Sequence, residues 1–299
     1  MNSIIDIENL SRHYNRVHAL DSVSIAIPRG GVFGLVGENG AGKSTLIHHI
    51  LGLLRAQKGT VRVFGVDPVR NPASVLGRMG IVTEDRDLPD WMRVDELMQF
   101  TSTFYPKWDK KYAEELRHLF GLAADARIGT LSRGQLAKAS LLAALAHRPE
   151  LLVLDEPSSG LDPVVRRDIL EAIIATAGED GRTVLFSSHL LDEVERVADR
   201  VAMMRSGRLV LNMPLEELKD THHRLIVRAK NGARAIDFPG ILVQQGEGPE
   251  RTVLCSGEMN VLVHAITTAG FEVVHADVPS LNEIFVARCA APAVAVKEA

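Results

Sequence analysis

Residues 37–44 read Gly-Glu-Asn-Gly-Ala-Gly-Lys-Ser, which fits the pattern G-x-x-x-x-G-K-S. An apolar run, residues 32–36, precedes the pattern, and a segment of helical character, residues 44–53, follows it. Glycines let successive backbone N–H groups turn towards one anion, and the following helix points its positive end at the same place. The feature therefore predicts a buried parallel strand, a phosphate-binding loop and a helix, which together form the core of an α/β fold.

Each residue type in this loop has a chemical reason. Lys43 would place a point charge on the β- and γ-phosphates of a nucleotide, and the Ser44 hydroxyl would ligate Mg²⁺. A plain glycine-rich turn is the alternative, but the Lys-Ser pair in register argues against it. The residues predicted to contact the nucleotide are Gly37, Asn39, Gly40, Ala41, Gly42, Lys43, Ser44 and Thr45.

A second apolar run, residues 151–154, ends in Asp155 and Glu156. A buried strand would deliver both carboxylates at its carboxyl end, where open α/β sheets bind their ligands. Asp155 would hold Mg²⁺, directly or through water, and Glu156 would polarise a water that attacks the γ-phosphate. Two surface acids at a strand end are the alternative, which the phosphate loop makes less attractive.

The composition excludes several classes of protein. The length of 299 residues suits one large domain, or one core domain plus a small appendage. With 46% hydrophobic and 24% charged residues, a buried core is expected and global disorder is not. The net charge of −4 is not that of a dedicated nucleic-acid binder, and we expect no nucleic acid as a partner. Two distant cysteines indicate a reduced, cytoplasmic compartment. We see no signal peptide at the N-terminus, and the apolar runs are too short to span a bilayer.

The remaining pattern divides the chain into three parts. Residues 1–214 alternate strands and helices around a helical subdomain at about 85–150, residues 215–290 form a small α+β domain, and residues 291–299 form a tail. Strands are predicted at residues 4–7, 22–27, 61–64, 80–83, 183–186, 201–204, 208–211, 225–229, 241–244, 252–255 and 272–274, with later helices at 215–219, 260–269 and 281–287.

Three further segments complete a family pattern. Leu131-Ser132-Arg133-Gly134-Gln135 stands before the acidic strand, Ser158-Ser159-Gly160-Leu161-Asp162 follows it, and His189 ends Leu185-Phe186-Ser187-Ser188-His189. Together with the phosphate loop, these resemble the signature motif, D-loop and switch histidine of ABC-type nucleotide-binding domains, over residues 4 to about 214. The resemblance implies a P-loop NTPase core with an antiparallel β subdomain and a helical insertion, followed by the small C-terminal α+β domain.

The resemblance also implies a dimer and a set of roles. ATP would lie between the phosphate loop of one subunit and the signature motif of a second copy, so that Ser132, Gly134 and Gln135 would contact the nucleotide across the dimer. His189 would contact the γ-phosphate and help Glu156 in catalysis, and Asp162 would reach the opposite site. Tyr14 matches the family's adenine-stacking aromatic; a surface tyrosine between two strands is the alternative.

Two positions depart from the family pattern. Arg133 stands where glycine is usual, and it could add a cation near the nucleotide or contact the partner subunit. Glu84 stands where glutamine is usual; its carboxylate still offers an oxygen to Mg²⁺, and it adds a negative charge.

Residues 85–94 follow Glu84 and mix charges with Trp91 and Met92. In the transporters that the chain resembles, this region receives a helix of the membrane permease, so an exposed Trp–Met patch would be a docking surface. Packing of both side chains inside the insertion is the alternative. Residues 279–286 resemble the small C-terminal domain of ABC-2-type exporter ATPases, including those similar to drug-resistance pumps.

We therefore expect an ATP-hydrolysing subunit that closes as a homodimer and drives a separately encoded integral membrane permease, for export, from the cytoplasmic face of the membrane. A soluble ABC-type ATPase acting on the ribosome or on DNA is the rival hypothesis. Ribosome-acting relatives usually carry two cassettes, and DNA-repair relatives have a long coiled coil for which residues 45–131 leave no room. A binding module that senses ATP without turnover is a third, disfavoured by Glu156 and His189.

Overall fold

The computed structural model describes residues 3–178, 181–230, 237–246 and 248–290, with the backbone alone for residues 289 and 290. The chain divides between Leu209 and Val210 into two compact units. The tail expected at residues 291–299 lies outside the described residues.

Strands and helices alternate through the first unit. Its strands are β1 (Ser3–Tyr14), β2 (Val17–Pro28), β3 (Gly31–Gly37), β4 (Lys58–Val63), β5 (Met79–Val82), β6 (Leu151–Asp155), β7 (Thr183–Ser188), β8 (Arg200–Arg205) and β9 (Arg208–Pro214), the last of which crosses the division. Its helices are α1 (Lys43–Ile50), α2 (Pro72–Leu76), α3 (Val94–Ser102), α4 (Lys110–Leu119), α5 (Arg133–Leu145), α6 (Pro163–Gly178) and α7 (Leu191–Val197).

A six-stranded sheet in the order β5-β6-β7-β3-β8-β9 forms the centre of this unit. Neighbouring strands from β5 to β8 run parallel. Every residue of β6 and β7 is buried, because helices cover both faces of a parallel sheet. The parallel arrangement brings the carboxyl ends of β3, β6 and β7 to the same edge.

A second, antiparallel sheet has the order β2-β1-β4. One continuous core joins it to the parallel sheet: Ile5 and Leu10 from β1, Leu46 and Ile50 from α1 and Val153 from β6 belong to it. The helix that follows the phosphate loop is therefore packed between the two sheets. This confirms the α/β core with an antiparallel subdomain that the family resemblance implies.

The first strand is longer than its predicted span of residues 4–7. It continues to Tyr14 through register shifts between Ile7 and Leu10 and between Leu10 and Arg12. Asn9 has a φ of +49°, which is uncommon for a residue with a side chain. These irregularities interrupt the alternation of apolar and polar residues, so the pattern alone stops short.

Three α-helices, α3, α4 and α5, and a short 3₁₀ helix, Ile128–Thr130, occupy the interval between β5 and β6, where the sequence predicts a helical insertion. Asp109 caps α4 by accepting a hydrogen bond from Tyr112 N at 2.9 Å. No helix in the described part of the chain combines the length and the apolar character that a bilayer crossing requires.

The second unit is a small α+β domain. Its described elements are α8 (Leu215–Asp220), β10 (His222–Ala229), β11 (Ile241–Gln245), β12 (Glu250–Ser256), α9 (Met259–Thr268), β13 (Phe271–Asp277) and α10 (Leu281–Ala290). The sheet is antiparallel in the order β11-β12-β10-β13. Its own core includes Leu225, Val253, Ile266 and Phe271.

His147 is a buried titratable group in the first unit, and it lies at the end of the insertion. Its Nε2 lies 2.9 Å from Met79 O, and its ring stacks on Tyr105 with the centroids 3.7 Å apart. Within the described residues its buried Nδ1 has no hydrogen-bond partner. Burial lowers the pKa of His147 from 6.5 to about 4, because a second proton would place an unpaired charge in the core.

We predict that the His147→Phe variant has a flatter acid stability profile than the wild type. The folded pKa lies below the unfolded one, so the stabilisation is complete above pH 6.5 and declines as the pH falls towards 4. The wild type should lose up to about 3 kcal/mol over this range from this residue alone. Urea unfolding followed by tryptophan fluorescence reports on the first unit, which contains both Trp91 and Trp108. If the unfolding free energy fell equally steeply with decreasing pH in both proteins, the prediction would be wrong.

Candidate nucleotide-binding site

The loop between β3 and α1 has the backbone that its glycines suggest. Gly40 and Gly42 have φ values of +81° and +106°. A Cβ on Gly42 would lie 2.4 Å from Ala19 O, so no other residue fits there without a shift. No side chain of the described residues caps the start of α1 at Gly42. The first N–H groups of α1 therefore point into the loop, where an anion would satisfy them.

Lys43 is buried in this loop, with its side chain 6% exposed. Its Nζ donates hydrogen bonds to Gly37 O at 2.7 Å and Glu38 O at 3.4 Å. The same nitrogen lies 3.2 Å from Glu156 Oε1. The lysine of the first motif and the carboxylate of the second thus form a buried ion pair.

The end of β6 positions Glu156 through a short chain of hydrogen bonds. Glu156 has a φ of +48°, an uncommon conformation that ends the strand sharply. Its backbone N–H donates to Ser187 Oγ at 3.0 Å, and Ser187 Oγ donates to Asp155 Oδ1 at 2.6 Å. The hydroxyl of β7 therefore fixes both acidic residues at the end of the neighbouring strand.

His189 contacts the other oxygen of the same carboxylate. Its Nδ1 lies 2.7 Å from Glu156 Oε2, and its backbone N–H donates to that oxygen at 3.3 Å. An ionised carboxylate only accepts, so Nδ1 carries the proton in this contact. The buried Glu156 carboxylate thus lies between Lys43 and His189.

These residues line an open cleft of about 580 Å³. Asn39, Gly40, Ala41, Gly42, Lys43, Ser44, Thr45, Glu84, Glu156 and His189 are predicted site residues that the structure brings together there. Val17, Ala19, Glu38 and Ser159 also line the cleft and were not predicted. Glu38 and Ser159 lie inside recognised motifs, whereas Val17 and Ala19 belong to β2, where nothing in the sequence indicates a site.

Other predicted residues lie outside the lining of this cleft. Gly37 and Asp155 do not line it, but Gly37 O accepts a hydrogen bond from Lys43 Nζ and Asp155 Oδ1 accepts one from Ser187 Oγ. Tyr14 ends β1 opposite Val17 and is 42% exposed, and the guanidinium of Arg12 lies 4.7 Å from its ring centroid. Its neighbour Val17 reaches the cleft, although Tyr14 itself does not line it.

The signature residues also lie outside the cleft of their own chain. Ser132 caps α5: its Oγ accepts from Gln135 N at 3.2 Å, while its N–H donates to Gln135 Oε1 at 3.0 Å. A Cβ on Gly134 would lie 2.8 Å from Val165 Cγ2. Within one chain, this glycine is required for close packing of α5 against α6.

The turn after Glu156 is anchored by a carboxylate that the sequence analysis missed. Glu193, on α7, is 3% exposed. Its Oε2 accepts from Ser158 Oγ at 2.5 Å and from Ser188 Oγ at 3.1 Å. Its Oε1 lies 3.1 Å from Arg166 Nε. Its place near the start of the helix that follows His189 is the signal that the sequence offers.

The structure also places Asp162 and the two residues that depart from the family pattern, Arg133 and Glu84. Asp162 Oδ1 accepts from Val164 N at 3.0 Å and from Val165 N at 3.1 Å, and so it caps the start of α6. Arg133 is exposed, and its Nη1 would lie 3.8 Å from a Cβ on Gly160. Glu84 lines the nucleotide cleft, as its place after β5 predicts.

Only half of the expected Trp–Met patch is on the surface. Trp91 is 69% exposed, whereas Met92 is 5% exposed. Neither alternative holds for both side chains: the exposed patch is wrong for Met92, and packing inside the insertion is wrong for Trp91. Two backbone hydrogen bonds hold Met92 in place: its N–H donates to Pro89 O, and its carbonyl oxygen accepts from Ile128 N.

We predict strong coupling between Lys43 and Glu156 in the nucleotide-free protein. Lys43→Met leaves a buried carboxylate without its cation, which should cost about 3 kcal/mol of unfolding free energy. The double variant Lys43→Met/Glu156→Gln should recover much of this loss, because the remaining amide carries no charge. Urea unfolding of the four proteins in the cycle gives the coupling energy. A coupling below about 0.5 kcal/mol would refute the ion pair.

Comparison with known proteins identifies the family to which the chain is similar. A family model described as ABC transporter matches residues 20–159. The bacitracin transport ATP-binding protein BcrA of Bacillus licheniformis is 30% identical over 228 residues, which are 76% of this chain and 74% of BcrA. The ABC transporter ATP-binding protein NatA of Bacillus subtilis is 35% identical, over 69% of this chain and 85% of NatA.

A third relative extends further along the chain. The daunorubicin/doxorubicin resistance ATP-binding protein DrrA of Streptomyces peucetius is 31% identical over 265 residues, which are 87% of this chain and 77% of DrrA. A solved ATP-binding subunit of an ABC transporter superposes with a TM-score of 0.67 at 26% identity, over 73% of this chain and 92% of that chain. The cleft geometry and these similarities agree, and the chain belongs to the family of ABC transporter ATP-binding proteins.

Proposed function

We propose that this chain uses Lys43, Glu156 and His189 to hydrolyse ATP, and that it drives a separate membrane permease that exports its substrate. The observation that carries the proposal is the Glu156 carboxylate, buried at the end of β6 between Lys43 and His189, at 3.2 Å and 2.7 Å. It borders the same cleft as the glycine-rich loop.

The triphosphate would bind to the loop amides and to the start of α1. Its oxygens would compete with Glu156 for Lys43, because a lysine ammonium interacts strongly with phosphate oxygens. Release of Lys43 would leave Glu156 with a free oxygen. Binding of the substrate would thus expose the group that activates water.

Oxygen donors in the cleft suit a magnesium ion. Ser44 and Glu84 line it, and Asp155 is fixed behind it by Ser187. Hydroxyl and carboxylate oxygens are ligands that Mg²⁺ prefers, and water and phosphate oxygens complete its shell. Bound there, the ion would neutralise charge on the phosphates.

Hydrolysis needs one proton acceptor and one in-line water. Glu156 would accept a proton from the water as the water oxygen bonds to the γ-phosphorus. The bond from the γ-phosphorus to the bridging oxygen breaks, and ADP and phosphate leave. His189 would orient the carboxylate through its Nδ1 proton. Its Nε2 would donate to the γ-phosphate only in the doubly protonated imidazolium, in which both ring nitrogens carry a proton.

A second copy would complete the site. Ser132, Gly134 and Gln135 form a capped helix start that does not line the cleft of its own chain. Helix starts bind anions, and the γ-phosphate in the partner's cleft is the anion that the proposal supplies. Asp162 would lie at the same interface, with Tyr14 at the adenine.

Export is proposed from the relatives. BcrA is named for bacitracin transport and DrrA for resistance to daunorubicin and doxorubicin, functions consistent with removal of a drug. A permease would bring the ATPase to the cytoplasmic face of the membrane. Trp91 is the candidate contact, because it is a large, exposed aromatic in the segment next to Glu84.

We predict that Glu156→Gln retains Mg-ATP binding but loses at least about 100-fold in kcat, because the amide does not accept the proton. The variant should accumulate as a dimer in ATP, which size-exclusion chromatography with light scattering would show. Glu171→Gln, an exposed carboxylate on α6, is the matched control and should behave as the wild type. Full turnover in Glu156→Gln would remove Glu156 from the mechanism.

We also predict that Trp91→Ala weakens transport with the native permease at least about fivefold, because an exposed tryptophan is a frequent anchor of interfaces. ATPase activity of the isolated protein should stay within about twofold. Phe104→Ala is the control, since Phe104 is 63% exposed in the same insertion. Equal transport by the Trp91→Ala variant and the wild type would place the docking surface elsewhere.

A further inference from the structure

The four residues after Glu156 form a turn, residues 157–160, which we call the post-acid turn. Ser159 N donates to Glu156 O at 3.1 Å, and Leu161 N donates to Ser158 O at 3.2 Å. On one side, the turn is fixed by the bond from Ser158 to Glu193, which belongs to the site already described. The other side is held by a residue that the proposed mechanism does not use.

That residue is Arg86. Its Nη2 donates to Pro157 O at 2.8 Å and to Ser159 O at 3.0 Å. One guanidinium nitrogen thus bonds the carbonyls on both sides of Ser158. Hydrogen bonds from a cation are roughly twice as strong as those between neutral groups.

The contact is made in a half-buried and strained setting. Burial lowers the pKa of Arg86, although the nearby charge of Glu84 opposes the effect. An arginine remains charged in proteins, so the two carbonyls receive a full cation. Arg86 also has a φ of +50°, a conformation that costs about 1 kcal/mol or more for a residue with a side chain. The surroundings must compensate for this cost.

Arg86 lies in a segment that connects the nucleotide cleft to the protein surface. Two residues earlier, Glu84 lines the nucleotide cleft, and five residues later Trp91 is exposed. The segment from Glu84 to Trp91 therefore touches the cleft, the post-acid turn and the surface. A shift in this segment would pull on the turn through Arg86.

We infer that Arg86 is a positioning residue, which holds the post-acid turn and thereby the Glu156 carboxylate in its catalytic place. The inference rests on the proposed ATPase mechanism. Because the turn begins one residue after Glu156, its displacement moves that carboxylate. A shift of about 1 Å in a catalytic group can lower the rate about 100-fold.

The first test needs no catalysis. Hydrogen exchange of the nucleotide-free full chain measures the amides of Ser159 and Leu161 in the wild type, Arg86→Met and Arg62→Met. Methionine has a similar length to arginine and no donor, and Arg62 is an exposed arginine on β4. We expect Arg86→Met to exchange about tenfold faster at these two amides, with unchanged amides in β8 and no change in Arg62→Met.

The second test separates positioning from binding. Steady-state Mg-ATP hydrolysis by Arg86→Met should show a kcat about tenfold or more below the wild type, with KM within about twofold. Arg86→Lys should lie between the two, because one ammonium can still donate to the carbonyls. Should Arg86→Met fail to fold, as judged by circular dichroism, Arg86→Gln would replace it in both tests.

The inference would be overturned if Arg86→Met left the exchange rates at Ser159 and Leu161 unchanged, or if it left kcat unchanged. It would also be overturned if kcat/KM fell only because KM rose. A wild type without Mg-ATP turnover would instead refute the proposed function. In that case, the exchange rates would still decide whether Arg86 holds the turn.

Discussion

The buried ion pair between Lys43 and Glu156 is the contact on which the site depends. Burying either charge alone would be costly, so the loop after β3 and the end of β6 must meet. They meet because the sheet order places β7 alone between these strands, and parallel strands end at one edge. β7 then contributes Ser187 to the acidic pair and leads into His189. Sheet order, rather than the loop alone, assembles the cleft.

Much of this arrangement is predictable from the sequence, for a physical reason. The strands β3, β6 and β7 are continuous apolar runs, a pattern typical of strands buried on both faces, and each ends in a motif. Strands of that kind run parallel, so their terminal residues converge. Periodicity is less informative for β1, where bulges near Asn9 interrupt it. It also fails at Met92, which ends a turn from Pro89 and accepts a hydrogen bond from Ile128 N, a residue distant in the chain.

The side-chain partners are the part that the sequence does not contain. Glu193 is one of many acidic residues on amphipathic helices, and its role is evident only when Ser158 and Ser188 both donate to it. Gly134 shows the converse. The family resemblance implies that it contacts the nucleotide, yet within one chain the absence of a Cβ is what lets Val165 pack against it. The two requirements are compatible, because the absence of a Cβ serves both.

The same reasoning applies to Ser132, which caps α5 and is proposed to contact a phosphate in the partner's cleft. Its oxygen already accepts from Gln135 N in the capping box. A hydroxyl has one donor as well as two acceptor positions, so capping uses only an acceptor and leaves the O–H free for an outside oxygen. The capped helix start is therefore already in the conformation that an anion requires, and binding would cost little reorganisation. In the proposed mechanism, the loop before α1 would receive phosphate and the start of α5 would offer a donor, and a second copy would bring the two together.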